Sequence, residues 1–295
     1  MQQQGPVLVP LDGSEVAERA LPYAAAVARA LGAPVLLVSV RRPAATALRA
    51  RRPEQADRVE RETEAAARSY LEEASGRLDA ALAPETAVRA GEPAEEIVSL
   101  ARERGARLLV ISTHGRSGIR RWIRGSVATR ILRDATAPVL VVGPNVPAPV
   151  SPVSLRHLAV PLDGSPVAEA ALPVAAALAR ALGARVALVR VVAWAVESYP
   201  FSPVALSLPE LDDELEADAH AYLDTHRTAV GDAETVILHG HAADRLCAFV
   251  EAERIDLVVM TTHARSPVTR AVMGSTADRV IQCPAPVLLI RPQAG

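Results

Sequence analysis

A chain of 295 residues that is 50% hydrophobic has room for two ordinary cores, and its formal net charge of -2 gives no general pull toward nucleic acid or anionic membrane. Its basic residues are all arginine, which excludes a phosphate-loop lysine, Schiff-base chemistry and a lysine general base together, while leaving arginine available for anions. Met1-Gln2-Gln3-Gln4-Gly5 lacks the regions of a signal peptide, and arginines such as Arg29, Arg180 and Arg185 interrupt the longest apolar stretches, so the chain reads as soluble and cytoplasmic, with neither membrane nor nucleic-acid partners.

In chain order, short apolar runs alternate with helical patterns. The first half predicts strands near 7–11, 34–40, 86–90, 107–113 and 138–143, with helices near 15–31, 57–82, 93–104 and 122–134. Ser14 caps the first helix and Gly32 ends it, whereas Pro22 falls inside it and predicts a kink or a late start. The second half predicts strands near 156–162, 185–192, 234–239, 256–262 and 286–291, and helices near 166–182, 209–229, 242–253 and 275–282. Ser165, Gly183 and Pro173 repeat the earlier signals. Alternation of this kind calls for a parallel sheet covered by helices on both faces.

The halves are copies. Val9-Pro10-Leu11-Asp12-Gly13-Ser14 returns as Val160-Pro161-Leu162-Asp163-Gly164-Ser165, and Ala137-Pro138-Val139-Leu140 returns as Ala285-Pro286-Val287-Leu288, at a spacing of about 150 residues. The proline-rich join around Pro144, Pro147, Pro149 and Pro152 reads as a stiff linker at 146–154 between domains at 1–145 and 155–295.

Ser112-Thr113-His114-Gly115-Arg116-Ser117-Gly118, followed by Gly125-Ser126, carries the strongest functional signal. It runs from a predicted strand into a helix, where free backbone N–H groups favour a phosphate. The second copy is Thr261-Thr262-His263-Ala264-Arg265-Ser266, then Gly274-Ser275. If strands one and four of each copy are neighbours, Asp12 faces that cradle across the crevice where ligands of open parallel sheets bind. A nucleoside phosphate then fits, its ribose on Asp12 and its phosphates over Gly115, Gly125 and Ser126. Read blandly, Asp12-Gly13-Ser14 is a turn and helix cap. Arg116 and Arg124 flank the cradle and are candidates to clamp outer phosphates.

Other chemistry is poorly supported. No Gly-x-Ser-x-Gly elbow presents Ser117, and the histidines at 220, 226, 239 and 241 lack zinc-site spacing, so no catalytic residue and no protein-held metal is assigned. Cys247 and Cys283 are too few for a disulfide framework and read as small buried hydrophobes in a reducing compartment. The connector after strand two is basic in the first copy, with Arg41, Arg42, Arg49, Arg51 and Arg52. In the second it holds Trp194, Tyr199 and Phe201, which read either as a lid or partner surface or as packing.

The repeated Val-Pro-Leu-Asp-Gly-Ser start, Gly91-Glu92-Pro93-Ala94, and Thr113-His114-Gly115-Arg116-Ser117-Gly118 with Gly125-Ser126 together resemble the universal stress protein family over nearly the whole chain. The resemblance implies two doubly wound, five-stranded parallel-sheet α/β domains of Rossmann-like type in tandem. It implies that Pro10, Asp12 and Val40 contact adenine and ribose, and that Ser112, Gly115, Gly125, Ser126 and Val127 line the phosphates. Ser112 stands where the family pattern has its first glycine. In the second copy Asp163, Val191, Gly274, Ser275 and Thr276 match and, with Thr261 at the first glycine position, are the candidates to line a second site; Thr261 and Ala264 replace both glycines, so this site reads as degenerate.

The function so implied is a stress-response regulator that binds ATP, or AMP or ADP, with magnesium carried by the nucleotide and the ligand acting as a conformational switch. A homodimer or a regulatory protein partner is compatible with that reading. The rivals are a slow ATP hydrolase or nucleotidyl transferase using the same pocket, and a nucleotide-free scaffold.

Overall fold

The computed structural model describes residues 5–113, 126–149, 152–193, 208–262 and 274–291. The chain divides into two compact units, one of residues 1–144 with 148–153, the other of 145–147 with 154–295.

Unit one runs β1 (Val7–Pro10), α1 (Glu15–Glu18), α2 (Ala20–Leu31), β2 (Val35–Arg41), α3 (Thr46–Arg51) and α4 (Pro53–Gly76). It continues with β3 (Glu85–Ala90), α5 (Pro93–Glu103), β4 (Leu108–Ser112), α6 (Ser126–Asp134) and β5 (Val139–Val142). The strands are parallel in the order β3-β2-β1-β4-β5. Val7, Leu8 and Val9 are fully buried because helices cover both faces, which is why the strand is an unbroken apolar run rather than an alternation. Edge strand β3 is more exposed and carries Glu85 and Arg89, which pair with Arg104 and Glu103.

Unit two repeats the plan as β6 (His157–Pro161), α7 (Pro166–Glu169), α8 (Leu172–Leu182), β7 (Arg185–Val192), α9 (Leu208–His226) and β8 (Glu234–His239). It closes with α10 (Ala242–Ala252), β9 (Leu257–Thr261), α11 (Ser275–Val280) and β10 (Val287–Ile290), the parallel order being β8-β7-β6-β9-β10.

The predicted first helix of each copy is two helices. The chain breaks at Arg19 and restarts so that Pro22 falls in the first turn of α2, and Pro173 falls likewise in the first turn of α8. A first-turn residue has no intrahelical partner for its N–H, so proline loses nothing there. In both units the first strand lies between the second and the fourth. The chain therefore reverses direction across the sheet at that seam, which fixes where a crevice opens.

Candidate functional site

Two elements meet at the carboxyl edge of each sheet. In unit one β1 and β4 are parallel neighbours, in register at Val7 with Leu108 and Leu8 with Leu109, so Asp12 and Ser112 emerge on the same rim. In unit two β6 and β9 repeat this, with Leu158 beside Leu257.

The aspartate turn is built the same way twice. Asp12 Oδ1 accepts from the Ser14 N–H at 3.0 Å and the Ser14 hydroxyl at 2.6 Å, and Ser14 Oγ accepts from the Ala17 N–H at 3.1 Å. Asp163, Ser165 and Ala168 give 3.0, 2.6 and 3.2 Å. Gly13 and Gly164 have φ of +82° and +85°, a conformation that a side chain at these positions would strain. The turn is thus a helix cap, and it also fixes an exposed carboxylate at the rim through Oδ1.

In unit two this carboxylate borders a cleft of about 540 Å³. Pro161 and Asp163 form one side, with Val189 and Val191 from β7 beside them. Met260 and Thr261 from β9 lie between, and Gly274, Ser275, Thr276 and Ala277 at the start of α11 form the other side. Ala242 and Leu246, one helical turn apart on α10, complete the wall. All six residues proposed for the second site, Asp163, Val191, Thr261, Gly274, Ser275 and Thr276, therefore line a single cavity. Gly274 has φ -58° and precedes α11, so its backbone would accept another residue; what glycine supplies is an absent side chain beside the cleft.

In unit one Pro10 ends β1, Val40 lies on β2, and Ser112 ends β4 with its hydroxyl 3.4 Å from the Val142 carbonyl. Next to it Thr113 Oγ1 is buried and has no hydrogen-bond partner among the described residues. Ser126 and Val127 begin α6. Gly115, Arg116, Arg124 and Gly125 lie outside the described residues, as do Ala264 of the second copy and the aromatics Trp194, Tyr199 and Phe201.

Sequence reasoning missed Val189, Met260, Ala242 and Leu246. The first was findable, since residues two apart on a strand share a face and Val191 was already chosen. Leu246 required knowing that α10 borders the cleft.

The basic connector of unit one is folded onto α4. Arg49 lies 2.8 Å from Glu60 and Arg41 3.3 Å from Glu64, so these arginines face carboxylates of their own domain. The hydrogen bond from Arg49, joined by one from the Ala44 N–H, holds the Glu60 carboxyl below its usual range.

One expectation is overturned. Cys247 and Cys283 form a disulfide, with Cα atoms 5.0 Å apart across 36 residues of sequence. The reading as two separate buried thiols failed because α10 packs against α11, which brings the two cysteines together. Among the described residues no group of three or more His, Cys, Asp or Glu is placed to hold a metal ion. Nor is any helix among them long and apolar enough to cross a membrane.

The family model described as "Universal stress protein family" matches residues 5–143 and again 154–291. This chain belongs to the universal stress protein family. A universal stress protein of Mycolicibacterium smegmatis (strain ATCC 700084 / mc(2)155) is 27% identical over 297 residues, covering 97% of each chain, so this universal stress protein shares its tandem length. Universal stress protein YxiE of Bacillus subtilis (strain 168) is 31% identical over 143 residues, which is 46% of this chain and 97% of YxiE. Among solved structures, a universal stress protein from Archaeoglobus fulgidus DSM 4304 superposes with a TM-score of 0.67 at 20% identity, covering 99% of both chains, and shares the fold.

Proposed function

We propose that this universal stress protein is an adenine-nucleotide-binding regulatory protein in which ATP, ADP or AMP acts as a conformational ligand. The carrying observation is the unit-two cleft, which gathers Asp163, Val191 and the start of α11 around about 540 Å³, within the range of small-molecule sites. Each part of an adenylate has a partner there. Val189, Val191, Leu246 and Met260 suit the flat apolar base, Asp163 suits ribose hydroxyls as an acceptor, and the free N–H groups beyond Gly274 suit phosphate. The turn of unit one presents Asp12 in the same way, so the reading extends to both units.

Asp163 is the one ionisable side chain among the described residues lining the cleft. A hydrolase needs a group to orient or deprotonate water beside the γ-phosphate as well as a ribose anchor. Magnesium, if present, would travel on the phosphates. Titration calorimetry of the full chain with ATP tests the reading: heat of binding in the wild type, weakened by Asp163→Ala, is expected, and no heat with ATP, ADP or AMP rejects it. Timed release of ADP by purified protein separates binder from hydrolase.

A further inference from the structure

The disulfide joins two walls of the unit-two cleft. Cys247 follows Leu246 on α10, and Cys283 lies just beyond the end of α11, whose first turn supplies Ser275, Thr276 and Ala277 to the opposite side. The closed covalent loop contains Thr261 and Gly274 as well, so most of the phosphate end of the cleft lies within it.

Unit one makes the same helix pair without a bond. There α5 packs on α6, and Glu95 pairs with Arg130 just as Asp244 pairs with Arg279 in unit two. The repeat puts Val98 where unit two has Cys247 and, counted back from the match of Ala137-Pro138 with Ala285-Pro286, Ala135 where it has Cys283; both are buried apolar residues. This fold therefore closes the position by packing alone, and the covalent tie is an addition confined to one copy. Its two residues are unequally exposed: Cys283 is 1% exposed, while Cys247 is half-buried on the helix surface.

We propose that Cys247–Cys283 is a reversible redox site that couples adenylate binding in the unit-two cleft to a dithiol reductant, an inference that rests on the nucleotide reading above. A thiolate of the reductant attacks Sγ of Cys247, the more exposed of the two residues. The Sγ–Sγ bond breaks, and Cys283 leaves as a thiolate and takes up a proton. The second thiol of the reductant then attacks the mixed disulfide, leaving as its own cyclic disulfide and releasing Cys247, which also ends protonated. Two electrons and two protons pass to the protein. Reduction frees α11 from its covalent tie to α10, so the cleft wall made by Ser275, Thr276 and Ala277 is held less firmly and the nucleotide must order it on binding.

The test uses the full chain carrying Asp12→Ala, so that calorimetry reports mainly on unit two, after oxidation or after treatment with excess dithiothreitol. Three results are expected: a Cys247–Cys283 cross-linked peptide in the unreduced digest, faster amide exchange over Ser275–Val280 on reduction, and an ATP affinity that falls by roughly tenfold. Cys247→Val with Cys283→Ala installs the pair found in unit one and should make exchange and affinity indifferent to reductant. Free thiols after oxidation, or unchanged exchange and affinity once the cross-link is reduced, overturn the proposal. Absence of ATP binding in both states overturns the nucleotide reading and this coupling with it. Exchange that still responds to dithiothreitol then locates the failure in the ligand rather than in the clamp.

Discussion

Tyr70 donates its hydroxyl to Glu18 Oε1 at 3.0 Å, tying the long helix α4 to the short helix α1 that begins directly after the Asp12 turn. Arg77 adds two hydrogen bonds to the same carboxylate, at 2.8 and 3.1 Å. Unit two repeats the tie as Tyr222 to Glu169, also 3.0 Å, with Arg190 stacked 4.8 Å from the centre of the Tyr222 ring. In both copies the crossover helix after the second strand thus braces the short helix that follows the aspartate turn.

Removing the hydroxyls should loosen that brace and change the alkaline limit of stability. Burial first, then the bond to Glu18, pushes the Tyr70 phenol up to about 12, and burial followed by the bond to Glu169 raises Tyr222. A raised pKa means that the folded state holds the proton more tightly. The contribution is complete below the ordinary value of 10.0 and is lost as pH rises from there through about 12. Tyr70→Phe with Tyr222→Phe is expected to lower Tm by a few degrees at pH 7, from roughly 1 kcal/mol per part-exposed bond, and to flatten the fall in Tm above pH 10. A melting series across pH checks both; parallel curves for the two proteins would reject the assignment.

Two glycines beside the cleft should respond oppositely to alanine. Gly164, at φ +85° with Arg190 Nη2 3.3 Å from where a Cβ would lie, should lose about 1–2 kcal/mol of stability. Gly274, at φ -58°, should lose roughly 0.5–1 kcal/mol as a helix cap with no backbone strain, while its new methyl would sit beside the phosphate end of the cleft. Gly274→Ala is therefore expected to melt within a few degrees of wild type and to bind ATP at least fivefold more weakly, a coupling of about 1 kcal/mol. Thermal melting and calorimetry on the two variants make the comparison.

Much of this was legible in the sequence, for identifiable reasons. Pro22 and Pro173 announced the split first helices because a missing N–H has only one harmless address in a helix. Asp12-Gly13-Ser14 and its copy announced a turn and cap, since the serine hydroxyl and the aspartate carboxylate satisfy donors within three residues of themselves. Of the cleft-lining residues on β7, Val191 came from the family resemblance, and Val189 was within reach of strand alternation but was missed. The disulfide was not legible, because its two halves are far apart in sequence and meet only through the packing of α10 on α11. The pairing of Arg41 and Arg49 with α4 was hidden for a similar reason: composition reports a basic connector, and only tertiary structure supplies the carboxylates.

Asp163 and Asp12 should matter to ligand rather than to fold. Each accepts two bonds from its serine at the protein surface, so Asp→Ala at either position forfeits a local cap worth roughly 1 kcal/mol, while Ser14 or Ser165 still caps the helix. An adenylate would lose its ribose acceptor, a charged hydrogen bond worth about 1.5–3 kcal/mol, or roughly 10- to 150-fold in Kd. Calorimetry with ATP on each single variant and on the double variant would assign the affinity to one unit or to both. Unchanged affinity in the double variant would remove the aspartates from the site.

Asp278, on α11, is the place where stability should be gained. Its Oδ1 is buried without a hydrogen-bond partner among the described residues, and burial raises its carboxyl above the ordinary value of 3.8. The folded state therefore binds this proton more tightly than the unfolded chain. Stability is lost as pH climbs from 3.8 through the raised value, and the cost persists at neutral pH. Unit one has Thr129 at the matching position and bears no such charge. Asp278→Asn keeps the shape and removes the charge, so it should stabilise by roughly 0.5–1 kcal/mol at pH 7, a figure reduced for partial exposure. The gain should shrink on acidification and vanish below pH 3.8, where the wild-type carboxyl is protonated in both states. Paired melting curves of wild type and variant between pH 7 and pH 3 measure it, and a gain that persists undiminished at the acid end would show that the buried charge is not its source.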